Sequence, residues 1–153
     1  MKVKIIKFRD DLISPIRAHY NDAGIDCFAQ EDFALEGFGR EYIKHEGEFA
    51  TYIRGDRFLV PLGFGLEIPN GYMAVIKPRS SMNIKGIITQ IGTIDSGYRG
   101  EIKAYFINTS KNRYQFKRGD KICQIVVEPV IVADLVEELG DERKDGGFGS
   151  TGR

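Results

Sequence analysis

Four stretches of the chain carry residue types that can do chemistry. The first is Pro78-Arg79-Ser80-Ser81. A guanidinium forks a phosphate-like anion bidentately, the two hydroxyls add donors, and the start of a helical turn adds backbone N–H groups. The same four residues also make an ordinary strand-to-helix cap. The second stretch runs from Gly92 to Ile102 (GTIDSGYRGEI) and sets Asp95 among glycines, with Tyr98 three residues on. Glycines let a ligand approach the backbone closely, while the plainer alternative is a hairpin with an Asx turn at Asp95. The third, Gly119 to Gln124 (GDKICQ), reads in isolation as a turn opening a strand. The fourth is Arg143 to Gly152, where Phe148 stands among glycines beside Ser150 and Thr151. Glycine N–H groups and hydroxyls suit phosphate oxygens, Phe148 can stack on a planar ring, and such a segment can order over a ligand as a lid.

Strand signals dominate the elements that would position these groups. Lys2 to Phe8, Phe58 to Val60, Gly63 to Ile68, Tyr72 to Lys77, Ile102 to Asn108 and Lys121 to Pro129 are rich in alternating or β-branched residues, with Gly, Pro and Asn between them. Short strands at close spacing predict an all-β sandwich or barrel. A single short helix is expected around Ser81 to Lys85. Val132 to Leu139 has helical periodicity but is expected to be a strand or extended segment. Glu36 to Asp56, polar and glycine-containing, is expected to be a hairpin or loop excursion. Residues 140–153 hold five glycines and one aromatic, a composition that predicts disorder.

The chain has 153 residues, which suits one domain. Its 22 Lys and Arg balance 22 Asp and Glu, which argues against a general nucleic-acid or membrane-surface binder. No apolar run approaches the roughly 18 residues of a membrane span, and the lysines at 2, 4 and 7 argue against a signal peptide. Cys27 and Cys123 stand alone, without metal-ligand spacing, and are expected to be buried reduced thiols in a cytoplasmic protein. His19 and His45 receive no role.

Taken with Ala23-Gly24-Ile25-Asp26, the four stretches resemble, in order and spacing, the five motifs of the trimeric dUTPase family. The resemblance runs from Met1 to Gly152. It implies a distorted jelly-roll β-barrel over residues 1–139, a flexible lid arm at 140–153, and a homotrimer whose active sites are shared between chains. It implies hydrolysis of dUTP to dUMP and pyrophosphate, which keeps uracil out of DNA and supplies dUMP for thymidylate synthesis. Asp95 would activate the water that attacks the α-phosphorus, a sensible task for a carboxylate. Tyr98 would pack on deoxyribose and exclude a 2′-hydroxyl. Uracil would be read by backbone between Thr89 and Asp95, including Gly92 and Ile94. Arg79, Ser80, Ser81 and Gln124 would bind phosphates. From the arm, Arg143 would meet the γ-phosphate, Phe148 and Gly149 would cover uracil, and Ser150 and Thr151 would bind phosphate oxygens. Mg²⁺ would ride mainly on the triphosphate, with Asp26 supporting its waters.

Three features depart from the family pattern. Thr89 stands where many members have Asn, Lys144 where Gly commonly follows the Arg, and the 36–56 stretch is longer than the usual connection. That stretch reads first as a surface hairpin, with a protein-partner contact as the sharper alternative. The superfamily's dCTP deaminases place a Glu ten residues after the hairpin Asp; here that residue is Tyr105, which does no carboxylate proton transfer at neutral pH. A regulatory binding protein on the same scaffold would be expected to lose Asp95, Tyr98 or Phe148, and all three are present.

Overall fold

Alternation of apolar and polar residues at period two can only be satisfied by strands with one face inward, and strands make up nearly all of the regular structure. The computed structural model describes residues 1–135 except 38, 46, 47 and 55; the side chains of 38–57 also lie outside the description. The strands are β1 (Lys4–Lys7), β2 (Ile25–Phe28), β3 (Phe33–Leu35), β4 (Gly39–His45), β5 (Glu48–Arg54), β6 (Asp56–Pro61) and β7 (Phe64–Glu67). They continue with β8 (Tyr72–Pro78), β9 (Ile87–Thr89), β10 (Thr93–Ile94), β11 (Lys103–Asn108), β12 (Tyr114–Phe116) and β13 (Lys121–Pro129). The one described helix is α1 (Ser80–Ile84). No helix among the described residues is long and apolar enough to cross a membrane.

All the strand pairs are antiparallel. The central sheet has the order β10-β8-β13-β2, and β6-β11-β9 forms a second. Two-stranded pairings β1-β7, β12-β3 and β4-β5 complete the set. Inward residues of the two larger sheets, among them Ala74, Ile76, Ile87, Phe106, Ile122 and Ile125, form one buried core with Phe64 and Leu62. On its edge Phe33 stacks between Phe58 and Phe116, with centroids 5.6 and 4.8 Å away, and so ties β3, β6 and β12 together.

The expected strands are present, and the expected helix begins one residue early. The 36–56 excursion runs as the ribbon β4-β5 and then enters β6. Residues 131–135 carry no regular structure, and Ile131, Val132 and Leu135 are almost fully exposed, in keeping with an extended lead into the tail; the rest of the 132–139 expectation lies outside the described residues. One expectation fails: Gly92 to Ile102 is not a β-hairpin. β10 pairs with β8, whereas β11 pairs with β6 and β9, so the segment is a loop joining two sheets. The segment expected to be a lid arm, with Arg143, Phe148, Gly149, Ser150 and Thr151, lies outside the described residues, as do residues 136–139.

Asn108, fully buried at the end of β11, shows how the core tolerates a polar group. Its amide donates to the carbonyls of Glu36 and Asn112 at 2.9 and 2.7 Å and accepts from the Ser110 N–H and hydroxyl at 3.0 and 2.9 Å. Buried polar groups of this kind are costly once a partner is lost. Asn108→Ala is expected to lower stability by about 2–4 kcal/mol, read as a fall in urea midpoint at fixed protein concentration.

Candidate active site

β8 ends at Pro78, which cannot donate to a ladder. The chain leaves through Arg79 in an extended conformation, and the Arg79 carbonyl accepts from Met82 and Asn83 to start α1. Arg79 makes no side-chain cap. Its guanidinium instead turns back to β13 and β2, donating to the Lys121 carbonyl at 3.0 Å and lying 3.4 Å from Asp26 Oδ1.

Asp26 is the centre of this half. Its side chain is 5% exposed, yet it meets three donors: Lys121 Nζ at 2.8 Å on Oδ2, and Gln124 Nε2 at 3.0 Å and Arg79 Nε on Oδ1. Burial pushes the Asp26 carboxyl up, but the bonds from Lys121 and Gln124 and the charges of Arg79 and Lys121 outweigh it, leaving the group below the ordinary carboxylate range. Gln124 stands opposite Asp26 in the β13–β2 register. It can lie flat because residue 24 has no side chain: a Cβ there would fall 2.8 Å from its Cδ and Oε1. Lys121 and Cys123 would share a face in a regular strand, away from Gln124. A register shift between Lys121 and Cys123 reverses that phase, placing Lys121 opposite Phe28 and on the face of Asp26 and Gln124. Arg79, Ser81 and Lys121, with Lys85 and Gln115, line a polar cavity of about 420 Å³.

The second half belongs to the 92–102 loop. The turn closes through main-chain atoms, Tyr98 N–H to Asp95 carbonyl at 3.0 Å, and not through an Asx bond. Arg99 braces it, donating to the carbonyls of Ser96 and Tyr98 at 2.6 and 3.0 Å. Asp95 is exposed, and among the described residues its carboxylate has no hydrogen-bond partner. It lines a cavity of about 300 Å³ with Gly92, Thr93, Ile94 and Tyr98. The two cavities share no residue.

The geometry therefore groups Arg79, Ser81, Gln124 and Asp26 on one side, with exposed Ser80 beside Ser81 at the start of α1. Gly92, Ile94, Asp95 and Tyr98 lie on the other. Thr89 joins neither: its side chain is buried, and its hydroxyl has no partner among the described residues. Lys121, Lys85, Gln115 and Gly100 were not singled out from the sequence. For Lys121 the available signal was its place in GDKICQ; the bulge that turns it inward leaves no trace in composition.

Comparison with known proteins decides the family. The profile of the dUTPase family matches residues 42–152. The deoxyuridine 5′-triphosphate nucleotidohydrolase of Gloeothece citriformis is 39% identical over 158 residues, covering 99% of this chain and 97% of the relative. The chain belongs to the dUTPase family. The Rhizobium rhizogenes dUTPase is 41% identical over 135 residues, covering 84% of this chain and 86% of its own. Among solved structures, the dUTPase from phage phi11 of S. aureus superposes with a TM-score of 0.74 at 22% identity, over 93% of this chain and 100% of that one. A mutant of the same phage enzyme, described with a coordinated structural Mg(II) ion, gives 0.72 at 22% identity over 90% and 98%. These two establish the shared, mostly β fold.

The depressed carboxyl of Asp26 gives this dUTPase an acid limb. A group held below its unfolded value contributes stability above about pH 4 and loses it as pH falls through the folded value. Asp26→Asn is therefore expected to lower the melting temperature at pH 7, and the gap to wild type should close below about pH 4, as followed by thermal denaturation across pH.

Proposed function

We propose that this dUTPase hydrolyses dUTP to dUMP and pyrophosphate with Asp95 as the base. The observation that carries the reading is an exposed carboxylate, unpartnered among the described residues, beside Tyr98 in a cavity of a chain akin to nucleotidohydrolases over its whole length. A water in hydrogen-bond reach of Asp95 gives up its proton to the carboxylate as its oxygen attacks the α-phosphorus. The bond to the α–β bridging oxygen breaks, and pyrophosphate leaves. Arg79, Ser80 and Gln124 hold the phosphate oxygens on which charge grows, and Tyr98 faces the sugar.

The donor set fits a Mg²⁺ carried on the substrate. No group of three or more His, Cys, Asp or Glu side chains comes together among the described residues, and both Asp26 oxygens already accept from protein donors. The triphosphate would thus be the main ligand, with Asp26 touching the ion only through water. When bound, the ion neutralises phosphate charge.

Register supports a site shared between chains. Ile94 lies opposite Ala74, so Asp95 continues towards Met73, whereas Arg79 follows Pro78 at the other end of β8. At about 3.3 Å per residue the two lie roughly 20 Å apart, yet both must reach one α-phosphate. In this reading a second copy supplies the missing half. The reading is a homotrimer of jelly-roll subunits over residues 1–139, with arm 140–153 as the lid from a further chain. The 36–56 insertion is the candidate contact for a protein partner. The free, buried thiols of Cys27 and Cys123 fit a cytoplasmic setting.

Two experiments test the reading. Asp95→Asn is expected to keep dUTP affinity and lose about a thousandfold or more in turnover, measured by pyrophosphate release. In the same assay wild type should release pyrophosphate from dUTP and hardly from dTTP, UTP or dCTP; ammonia from dCTP would point to a deaminase. Asp95→Asn and Arg79→Ala, each inactive alone, should regain about a quarter of wild-type activity when unfolded and refolded together, from the statistics of random assembly. Two inactive halves that stay inactive would refute the shared site.

A further inference from the structure

The Tyr98 ring is held at both ends. Its backbone N–H is bound to the Asp95 carbonyl, and its hydroxyl donates to the Glu101 carbonyl at 3.0 Å, so the ring folds back across residue 100. Residue 100 is glycine. A Cβ built there would lie 2.4 Å from the Tyr98 hydroxyl oxygen, 2.6 Å from Cζ and 3.1 Å from Cε2. Ordinary contacts begin near 3.4 Å, so ring and side chain cannot coexist in this arrangement.

The main chain has no room to yield. On the far side the Gly100 carbonyl oxygen lies 2.6 Å from where a Cβ on Gly65 would stand, so the loop is pressed against β7. The residues that follow are pinned as well. The Glu101 carboxylate accepts the Gly63 N–H at 2.9 Å, and Ile102 exchanges main-chain bonds of 2.9 Å with Phe64 and Leu62. Gly100 does not have a left-handed φ, so alanine meets no backbone objection there. The whole cost of a methyl group falls on the ring.

We propose that Gly100 is a specificity-determining positioning residue. Having no side chain, it fixes where the Tyr98 ring stands and hence how closely that ring approaches C2′ of the bound nucleotide. The inference rests on the reading of Tyr98 as the sugar-facing ring. A methyl at residue 100 displaces the ring by about 1 Å, the scale on which positioning errors alter rates strongly. The displaced ring gives up its hold on the Glu101 carbonyl and no longer discriminates at the 2′ position.

The test compares kcat/KM for dUTP and UTP by pyrophosphate release in wild type, Gly100→Ala, Tyr98→Ala and the double variant. Gly100→Ala is expected to lower the dUTP-to-UTP ratio about tenfold or more. In the Tyr98→Ala background the same substitution should shift the ratio by less than about twofold, since the atoms it strikes are gone. An unchanged ratio in Gly100→Ala, or an equal fall in both backgrounds, would overturn the proposal. Should Gly100→Ala fail to fold, the double variant decides. If the clash with the ring is the cause, the double variant folds with the ratio of Tyr98→Ala; if it also fails, the proposal is wrong. A wild type that hydrolyses dUTP and UTP alike would refute the sugar-facing role of Tyr98 itself, an outcome visible without any substitution at 100.

Discussion

One buried charge organises half of this molecule. A carboxylate withdrawn from water is tolerated only when opposite charge and hydrogen bonds replace its hydration, and Asp26 draws these from two other parts of the chain. Lys121 and Gln124 come from β13, and Arg79 comes from the junction of β8 and α1. Several local features follow from that demand. Gly24 is bare so that Gln124 can lie across it, and β13 is bulged so that Lys121 can turn inward. Arg79, a donor-only side chain that cannot accept from the first N–H groups of α1, is free to turn back towards Asp26. The same contacts hold the cationic groups of Arg79 and Lys121 in fixed positions at the rim of the polar cavity. Such preorganisation spares the cost of ordering long side chains at the moment of binding.

The other half obeys a different constraint. The 92–102 loop passes from the central sheet to the β6-β11-β9 sheet, so it is anchored at both ends by strands that do not pair with each other. Its turn is set by main-chain bonds and braced by Arg99, which leaves the Asp95 carboxylate exposed while the Tyr98 ring folds back over Gly100. A rigid frame with reactive groups on its exposed rim is the usual arrangement for chemistry on loops.

Much of this was legible in the sequence. The long alternating stretches that became β8, β11 and β13 could be read because period two is a local property. β2, β3, β9, β10 and β12 span only two to four residues, too short for any period to emerge. The loop mistaken for a hairpin failed for a related reason, since Gly92 to Ile102 has hairpin composition but its pairing is chosen by strands far away. The motifs gave the identities of Arg79, Gln124, Asp95 and Tyr98 through their resemblance to a family. They did not give Lys121, whose direction depends on a bulge, or the seat of the Tyr98 ring on Gly100, which depends on packing against β7. Thr89, expected to meet uracil through its backbone, turns its side chain into the core from β9.

The two cysteines stand opposite each other across the β2–β13 ladder, fully buried, immediately beside Asp26 and Gln124. The bond with Cys123, reinforced by burial, pushes the Cys27 thiol well up, so it stays protonated and unreactive while the ladder is closed. A thiol reagent can therefore reach this pair only during an opening that also separates Asp26 from Gln124. Its rate of labelling becomes a clock for local unfolding around the Asp26 cluster. A bound nucleotide that tightens this region should slow that clock without touching either sulfur.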